Sequence, residues 1–468
     1  MTDVITPTVR SVENMVARAR EKTKMSTTPA CPTCHVKLWI SVFFDGTGNH
    51  RDNDFPRCHS NVAALFDAHV NDPGNAIVPL YYEGLGRAFS FQERYEEVTV
   101  YTRGGAHVSR RVGYQESDDR LLGKGFAVGI TERLEKAVFE VSKTIQDWRS
   151  QRRVDEINLA VFGFSRGATG ARAFLHWLAA HSKVKAQGKS LSFDGVPLNV
   201  KFLGIFDTVE SVGMAGTNKM PELIKTKVPA FVQKCTHIVA AHELRSAFPL
   251  TTVDGAHRCV VYPGAHADVG GGYAANDQGR SDKLARIALL QMLDEARGAG
   301  LKLRSIDEMR ADPAKWQHLF SASFDVPEQA RSALRGYMAA VKPSGTISQH
   351  MQAHMNAYWR WIDSGQAMAD VQTKRQADRT QPQRQREYQR MAHMLSNLAR
   401  TPAGRGATLS AGGSTSQMAA PASPQVATFF SNHVHDSFEH FSATGGTLQT
   451  DLSNADYYNL RQLNRPVG

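Results

Sequence analysis

The sequence predicts an α/β fold, a mainly parallel sheet covered by helices, with a helical insertion or cap. Three observations predict it. Short apolar, β-rich runs alternate along the chain with stretches whose apolar residues recur at three- and four-residue spacing, the pattern of a sheet buried under crossover helices. One strand, at 157–162, meets its helix through a glycine-bracketed turn at 163–167. The composition, 41% hydrophobic and 21% charged over 468 residues, is that of a globular chain large enough to bury its core without disulfides.

The elements follow in order. Residues 1–34 read as a polar, flexible leader with at most a short helix at 11–24, and they lack the continuous apolar core of a secretory signal. Strands are expected at 36–44 and 76–82, the first closing on Asp45-Gly46-Thr47-Gly48-Asn49, a strong turn signal. Residues 83–125 read as loop with some helix. An amphipathic helix is expected at 125–152, from Ala127, Ile130, Leu134, Val138, Val141, Ile145 and Trp148. After the strand at 157–162 a helix runs over 168–180. Strands follow at 199–206 and 258–262, a helix-like run at 236–248, and a helix at 283–297. The predicted organisation is a leader (1–34), an α/β core (35–300), a helical insertion or cap (301–400), a Pro/Ala/Gly/Ser/Thr linker (401–425) and a C-terminal segment packing on the core (426–468). No apolar run approaches the roughly 20 residues that span a bilayer.

The chemistry is concentrated in Gly163-Phe164-Ser165-Arg166-Gly167, a G-x-S-x-G pattern. A serine on a tight turn between strand and helix projects its hydroxyl from the C-terminal edge of a sheet, and a Cβ at the flanking positions would collide with the neighbouring strand and helix. That context is present here and points to the nucleophile turn of an α/β-hydrolase. The competing reading is a plain βα or phosphate-binding turn, which the missing G-K-[ST] weakens. A serine hydroxyl needs a histidine base, and the histidine needs a carboxylate. Asp207 follows the strand at 199–206, although Asp in that position also caps turns. His266 follows the strand at 258–262 in a glycine-rich loop; a solvated loop histidine is its other reading. His435, in His433-Val434-His435-Asp436-Ser437, remains the alternative base. His242 falls within the helix-like run and reads as a residue that packs or bonds locally. The oxyanion hole would use the backbone N–H of Arg166 and that of Gly46; a structural turn explains Gly46 equally well.

Four ordered motifs then carry a resemblance. Val42-Phe43-Phe44-Asp45-Gly46-Thr47-Gly48-Asn49, Gly163-Phe164-Ser165-Arg166-Gly167-Ala168, Phe206-Asp207-Thr208-Val209 with Ser211-Val212-Gly213, and His266-Ala267-Asp268-Val269-Gly270-Gly271-Gly272-Tyr273 together resemble the α/β-hydrolase domain of type VI secretion lipase effectors, family one, over about residues 36–300. The resemblance implies a phospholipase of the A type that attacks the membrane phospholipids of rival bacteria. It implies synthesis in the cytoplasm, delivery on a secretion spike protein into the target periplasm, and a cognate immunity protein. Ser165 would be the nucleophile, Asp207 the acid and His266 the base, with no cofactor and no metal. A non-toxic intracellular esterase or lipase, a non-catalytic hydrolase-fold adaptor and a basic nucleic-acid-binding protein are the alternatives.

Other signals carry less. Cys31-Pro32-Thr33-Cys34-His35 matches C-x-x-C-H, but no haem-pocket sequence accompanies it and no second cysteine pair completes a zinc site. Five scattered cysteines argue against a disulfide framework. The net charge of +10 favours anionic surfaces. The tract 374–405, with eight basic and two acidic residues, could touch lipid head groups or nucleic acid. It shows no nucleic-acid-binding motif, and a solvated charged helix accounts for it.

Overall fold

Strands β1 (His35–Phe44), β2 (Ile77–Tyr82), β3 (Phe89–Tyr101), β4 (His107–Glu116), β5 (Arg153–Phe164) and β6 (Val184–Gln187) occupy the first part of the chain; β7 (Ser190–Phe193), β8 (Val196–Phe206), β9 (Cys235–Ala240), β10 (Leu250–Thr251), β11 (Arg258–Tyr262) and β12 (Leu463–Asn464) follow. This computed structural model describes residues 35–86, 89–101, 107–116, 125–210, 224–245, 247–255, 257–400, 420–437 and 460–468. The leader with its C-x-x-C-H, Ser211-Val212-Gly213 and most of the expected linker lie outside the described residues.

The main sheet runs β11-β9-β8-β5-β1-β2, every neighbouring pair parallel. β7 pairs antiparallel with the start of β8, and β6 pairs with β7. Side chains alternate across a strand, and each central strand feeds two cores. Leu38, Ile40, Val42 and Phe44 of β1, with Leu159 and Val161 of β5 and Leu203 and Ile205 of β8, enter one apolar cluster. Helices Gly125–Gln151 and Arg166–Ala179 cover it through Leu134, Val141, Ile145, Ala171 and Phe174. Phe43, Phe162, Phe202 and Phe206 point the other way. There they meet helices Asn61–Ala68 and Lys283–Gly298 and the helical C-terminal part, represented by Tyr337, Trp359, Trp361 and Phe430. Phe43 stacks on Phe162 with centroids 4.8 Å apart, a contact worth about 1 kcal/mol beyond burial.

Chain order reverses between β1 and β5, because β1 leads outward to β2 while β5 leads the other way through β8, β9 and β11. In open parallel sheets such a reversal leaves a crevice beyond the C-terminal strand ends. Asp45 leaves β1 there, Ser165 leaves β5, Asp207 leaves β8, and His266 follows β11 by four residues.

Three regions differ from the sequence expectation. The stretch expected as loop with some helix contains the antiparallel hairpin β3–β4; its charged residues mask the period-two signal. The helix-like run at 236–248 instead begins with the wholly buried strand β9, since a short apolar run cannot be told from helix by periodicity alone. His242 therefore follows a strand rather than sitting in a helix. The β6–β7 pair had no distinctive signal. No helix among the described residues is long and apolar enough to cross a membrane.

Candidate active site

Ser165 sits between β5 and helix Arg166–Ala179 with φ 59° and ψ −125°, a strained conformation for a residue with a Cβ. Two glycines permit the turn. A Cβ on Gly163 would lie 2.6 Å from Ala168 Cα, and one on Gly167 would run into the backbone oxygens of Phe44 and Asp45. The Ser165 N–H donates to Phe206 O at 3.0 Å, and the Val209 N–H donates to Ser165 O at 3.3 Å. These bonds tie the turn to the end of β8 and the loop beyond.

Asp207 begins that loop with φ 43° and is fully buried. Its Oδ2 accepts from His266 Nδ1 at 2.5 Å and from Arg461 Nη2 at 2.9 Å. Its Oδ1 accepts from Arg461 Nη1 at 2.6 Å and the Ala240 N–H at 2.8 Å. Burial alone would raise this carboxyl, but the Arg461 guanidinium and the His266 hydrogen bond more than offset it and hold the group well below the usual carboxylate range. His266 opens the short helix His266–Gly270. Burial lowers its pKa below 6.5, partly opposed by Asp207, so the imidazole is largely neutral near pH 7. Its ring lies 4.6 Å from that of Phe164 and 5.1 Å from that of Phe248, beside the residue preceding Ser165. Among the described residues, the side-chain hydrogen-bond partner of His266 is Asp207. A serine–histidine bond commonly tightens only when substrate arrives.

A second carboxylate lies under the same rim. Asp45 is buried and pushed up to about 6 by burial, against hydrogen bonds from Tyr81, Ser60 and Gly46. The Tyr81 hydroxyl donates at 2.5 Å and that of Ser60 at 2.8 Å. The Gly46 N–H, expected to face an oxyanion, donates to Asp45 Oδ1 at 2.7 Å. Arg166 supplies the first helical residue after the serine, where first-turn amides have no intrahelical acceptor. Burial lowers the Arg166 side chain to about 10.

The alternative base, His435, is placed elsewhere. Its Nδ1 is 2.6 Å from Asp268 Oδ1, its backbone N–H donates to Asp268 Oδ2 at 2.9 Å, and its ring stacks on Tyr273 at 4.0 Å. The structure thus joins Asp207 with His266 next to the Ser165 turn and gives His435 a different carboxylate.

Against this geometry, comparison with known proteins is specific. The family model described as T6SS, Phospholipase effector Tle1-like, catalytic domain matches residues 39–193 and 179–295, more than half of the chain. The chain belongs to this family. It is a Tle1-like type VI secretion phospholipase effector, a lipid-hydrolysing class. No curated protein matches the chain significantly. Among solved structures, an uncharacterized protein from Pseudomonas aeruginosa is similar at TM-score 0.60 and 18% identity, covering 97% of this chain and 81% of its own; that likeness speaks to fold alone. A Tle1 effector bound to the VgrG spike of the type 6 secretion system aligns at TM-score 0.43 and 16% identity, covering 69% of this chain and 84% of its own.

The Tle1-like core also holds residues that sequence reasoning missed. Glu243 accepts two bonds from the Arg245 guanidinium at 2.8 Å each and the His266 N–H at 3.3 Å. Burial would raise Glu243, but Arg245 holds it well below the usual range. Arg461 is 254 positions from Asp207. No local pattern marks a single arginine in a terminal segment, and only the fold brings it to the rim.

Proposed function

We propose that this Tle1-like effector has the α/β-hydrolase fold and is a phospholipase A working through an acyl-enzyme on Ser165. The Ser165 hydroxyl attacks the acyl carbonyl of a membrane phospholipid. His266 accepts the serine proton and passes it to the leaving alcohol, releasing lysophospholipid. Asp207 fixes the imidazole tautomer and stabilises the imidazolium. The oxyanion takes the Arg166 N–H and, once it turns from Asp45, that of Gly46. Water, activated by His266, then releases the fatty acid.

The observation that carries this reading is the strained Ser165 turn on the same sheet edge as the His266–Asp207 hydrogen bond. Family membership supports the lipid substrate. In the same reading the effector rides a spike protein of the VgrG kind into the target periplasm, and a cognate immunity protein neutralises it in the producing cell.

The test is hydrolysis of phospholipid vesicles and of a short soluble ester by the full chain. Ser165→Ala should abolish both, a loss of about 10³-fold or more, and the phospholipid should be the better substrate. Activity surviving Ser165→Ala ends the acyl-enzyme reading. A preference for simple esters points to an esterase, and a folded chain inactive on every ester points to an adaptor.

A further inference from the structure

Asp207 has more partners than the tautomer of His266 requires. One hydrogen bond to Nδ1 orients the ring, and the Ala240 N–H satisfies a second lone pair. Arg461 then adds a two-pronged contact to both oxygens, at 2.6 and 2.9 Å. A planar guanidinium facing a carboxylate bidentately is the strongest charge-assisted pairing open to side chains. It is set from behind the carboxylate: the Arg461 Nε donates to Phe248 O at 2.8 Å and Nη1 also donates to Ala240 O at 3.1 Å.

The segment carrying Arg461 is fastened to the loops of the rim. β12 pairs with β10, and the Leu250 N–H donates to Gln462 O at 2.9 Å. The Thr251 N–H donates to Thr208 O at 3.0 Å, so β10 also holds the residue after Asp207. Further on, the Thr226 and Lys227 N–H groups donate to Val467 O at 2.9 and 2.8 Å. Residues 460–468 thus form a strap tied to both described ends of the segment between β8 and β9.

The charges around His266 belong to four groups from three places. Asp207 faces it from the loop after β8, and Glu243 and Arg245 from the loop after β9. Arg461 stands behind Asp207. The aromatic neighbours Phe164 and Phe248 carry none. Of the titratable groups that sense Asp207, burial lowers His237 to about 3 and raises Cys259 to about 12, leaving both neutral. Two anions and two cations therefore surround a neutral imidazole. Without Arg461 the sum becomes −1, which favours the imidazolium and raises the pH at which His266 gives up the proton it must lack to serve as a base.

We propose that Arg461 is a positioning residue for hydrolysis: it clamps Asp207 and balances its charge, so that seating of the 460–468 strap completes the base. The inference rests on the Ser165–His266–Asp207 reading above. It requires that the site be incomplete without a residue from the far end of the chain.

The experiment measures kcat and KM for ester hydrolysis by the full chain over about pH 5–9, for the unaltered protein, Ser165→Ala, Arg461→Gln, Arg461→Lys and Arg461→Ala, with circular dichroism to establish folding. Arg461→Gln should lower kcat with KM nearly unchanged and move the acid limb of kcat/KM up by about one pH unit, about a tenfold loss on that limb. Arg461→Lys keeps the charge but not the fork, so the limb should return while kcat recovers only in part. Added guanidinium ion should raise the activity of Arg461→Ala and leave Ser165→Ala inactive. A folded Arg461→Gln with unchanged kcat and limb overturns the proposal, and so does a loss of thermal stability with no change in the profile. If Arg461→Gln does not fold, Arg461→Lys decides: full kcat overturns the proposal, and reduced kcat with an unshifted limb supports it. Activity in Ser165→Ala sinks the underlying reading instead, whatever the arginine variants do.

Discussion

Two histidine–carboxylate pairs lie near the rim, closed by almost the same hydrogen bond: His266 on Asp207 at 2.5 Å and His435 on Asp268 at 2.6 Å. Their surroundings differ. Asp207 takes a guanidinium on both oxygens, whereas Asp268 takes the Ala265 and His435 backbone N–H groups, each at 2.9 Å. His266 packs against Phe164, next to the serine turn. His435 stacks on Tyr273, and its buried Nε2 meets no hydrogen-bond partner among the described residues. On the reading proposed above, His266 is the base and His435 is not, so a histidine held by an aspartate is no sufficient sign of a base. The second pair also has a mechanical relation to the first. Asp268 lies two residues beyond His266 in the same short helix, so His435 anchors the helix on which His266 stands.

The contrast can be broken most severely by exchanging which histidine is lost. His266→Ala should lower kcat by about 10³-fold or more with little change in stability beyond its own packing. His435→Ala should instead cost about 2–3 kcal/mol of stability, through a lost buried hydrogen bond and stack. Its activity per folded molecule should stay within about tenfold. Parallel kinetics and denaturant melts read both. If His435→Ala alone abolishes turnover in a folded chain, the roles of the two pairs are reversed.

A milder test uses pH. Burial sets the His266 pKa below its ordinary 6.5. A base must be neutral, so activity should be full at pH 7 and fall only as pH drops through that lowered value. The His435→Ala variant should keep the limb in place, because His435 does not touch Asp207. A limb that moves with His435 would join the two pairs electrostatically and weaken the distinction between them.

How much of this was legible in the sequence depends on range. The Ser165 turn was readable because steric demands act over five consecutive residues, and Gly163 and Gly167 are where a Cβ would collide. Strands β1, β5, β8 and β11 were readable because each is an apolar run ending in a turn. β9 was not, being too short and too uniformly buried for its period to show. The partners that tune the site were invisible: Arg461 meets Asp207, and His435 meets Asp268 across 167 positions. Tyr81 reaches Asp45 from the neighbouring strand. Such contacts depend on topology, and the charge of a lone Arg or the ring of a lone Tyr carries no record of it.

The smallest expected effect comes from Tyr81→Phe, which compares Asp45 with Asp207. The two buried carboxyls are shifted in opposite directions. Asp207 is depressed, so its contribution to stability is present above the unfolded carboxylate value and is lost as pH falls through the folded one. Asp45 is raised from 3.8 to about 6, so its contribution is full below about 3.8 and is lost as pH rises through about 6. Tyr81 opposes that loss by donating to the charged form. Removing the hydroxyl should raise Asp45 further and destabilise the chain by about 1–2 kcal/mol above pH 6, where the carboxylate would otherwise be charged. The deficit should shrink near pH 4.5, because Asp45 is then mostly protonated in both proteins and gains less from the donor. Ester hydrolysis at pH 7 should change by no more than about threefold, since Ser60 still holds the loop and the side chains of the proposed triad are untouched. Denaturant melts of both proteins at the two pH values read the difference directly. A deficit of equal size at both would mean that Tyr81 merely packs, and that Asp45 is not the charged counterpart of Asp207 at neutral pH.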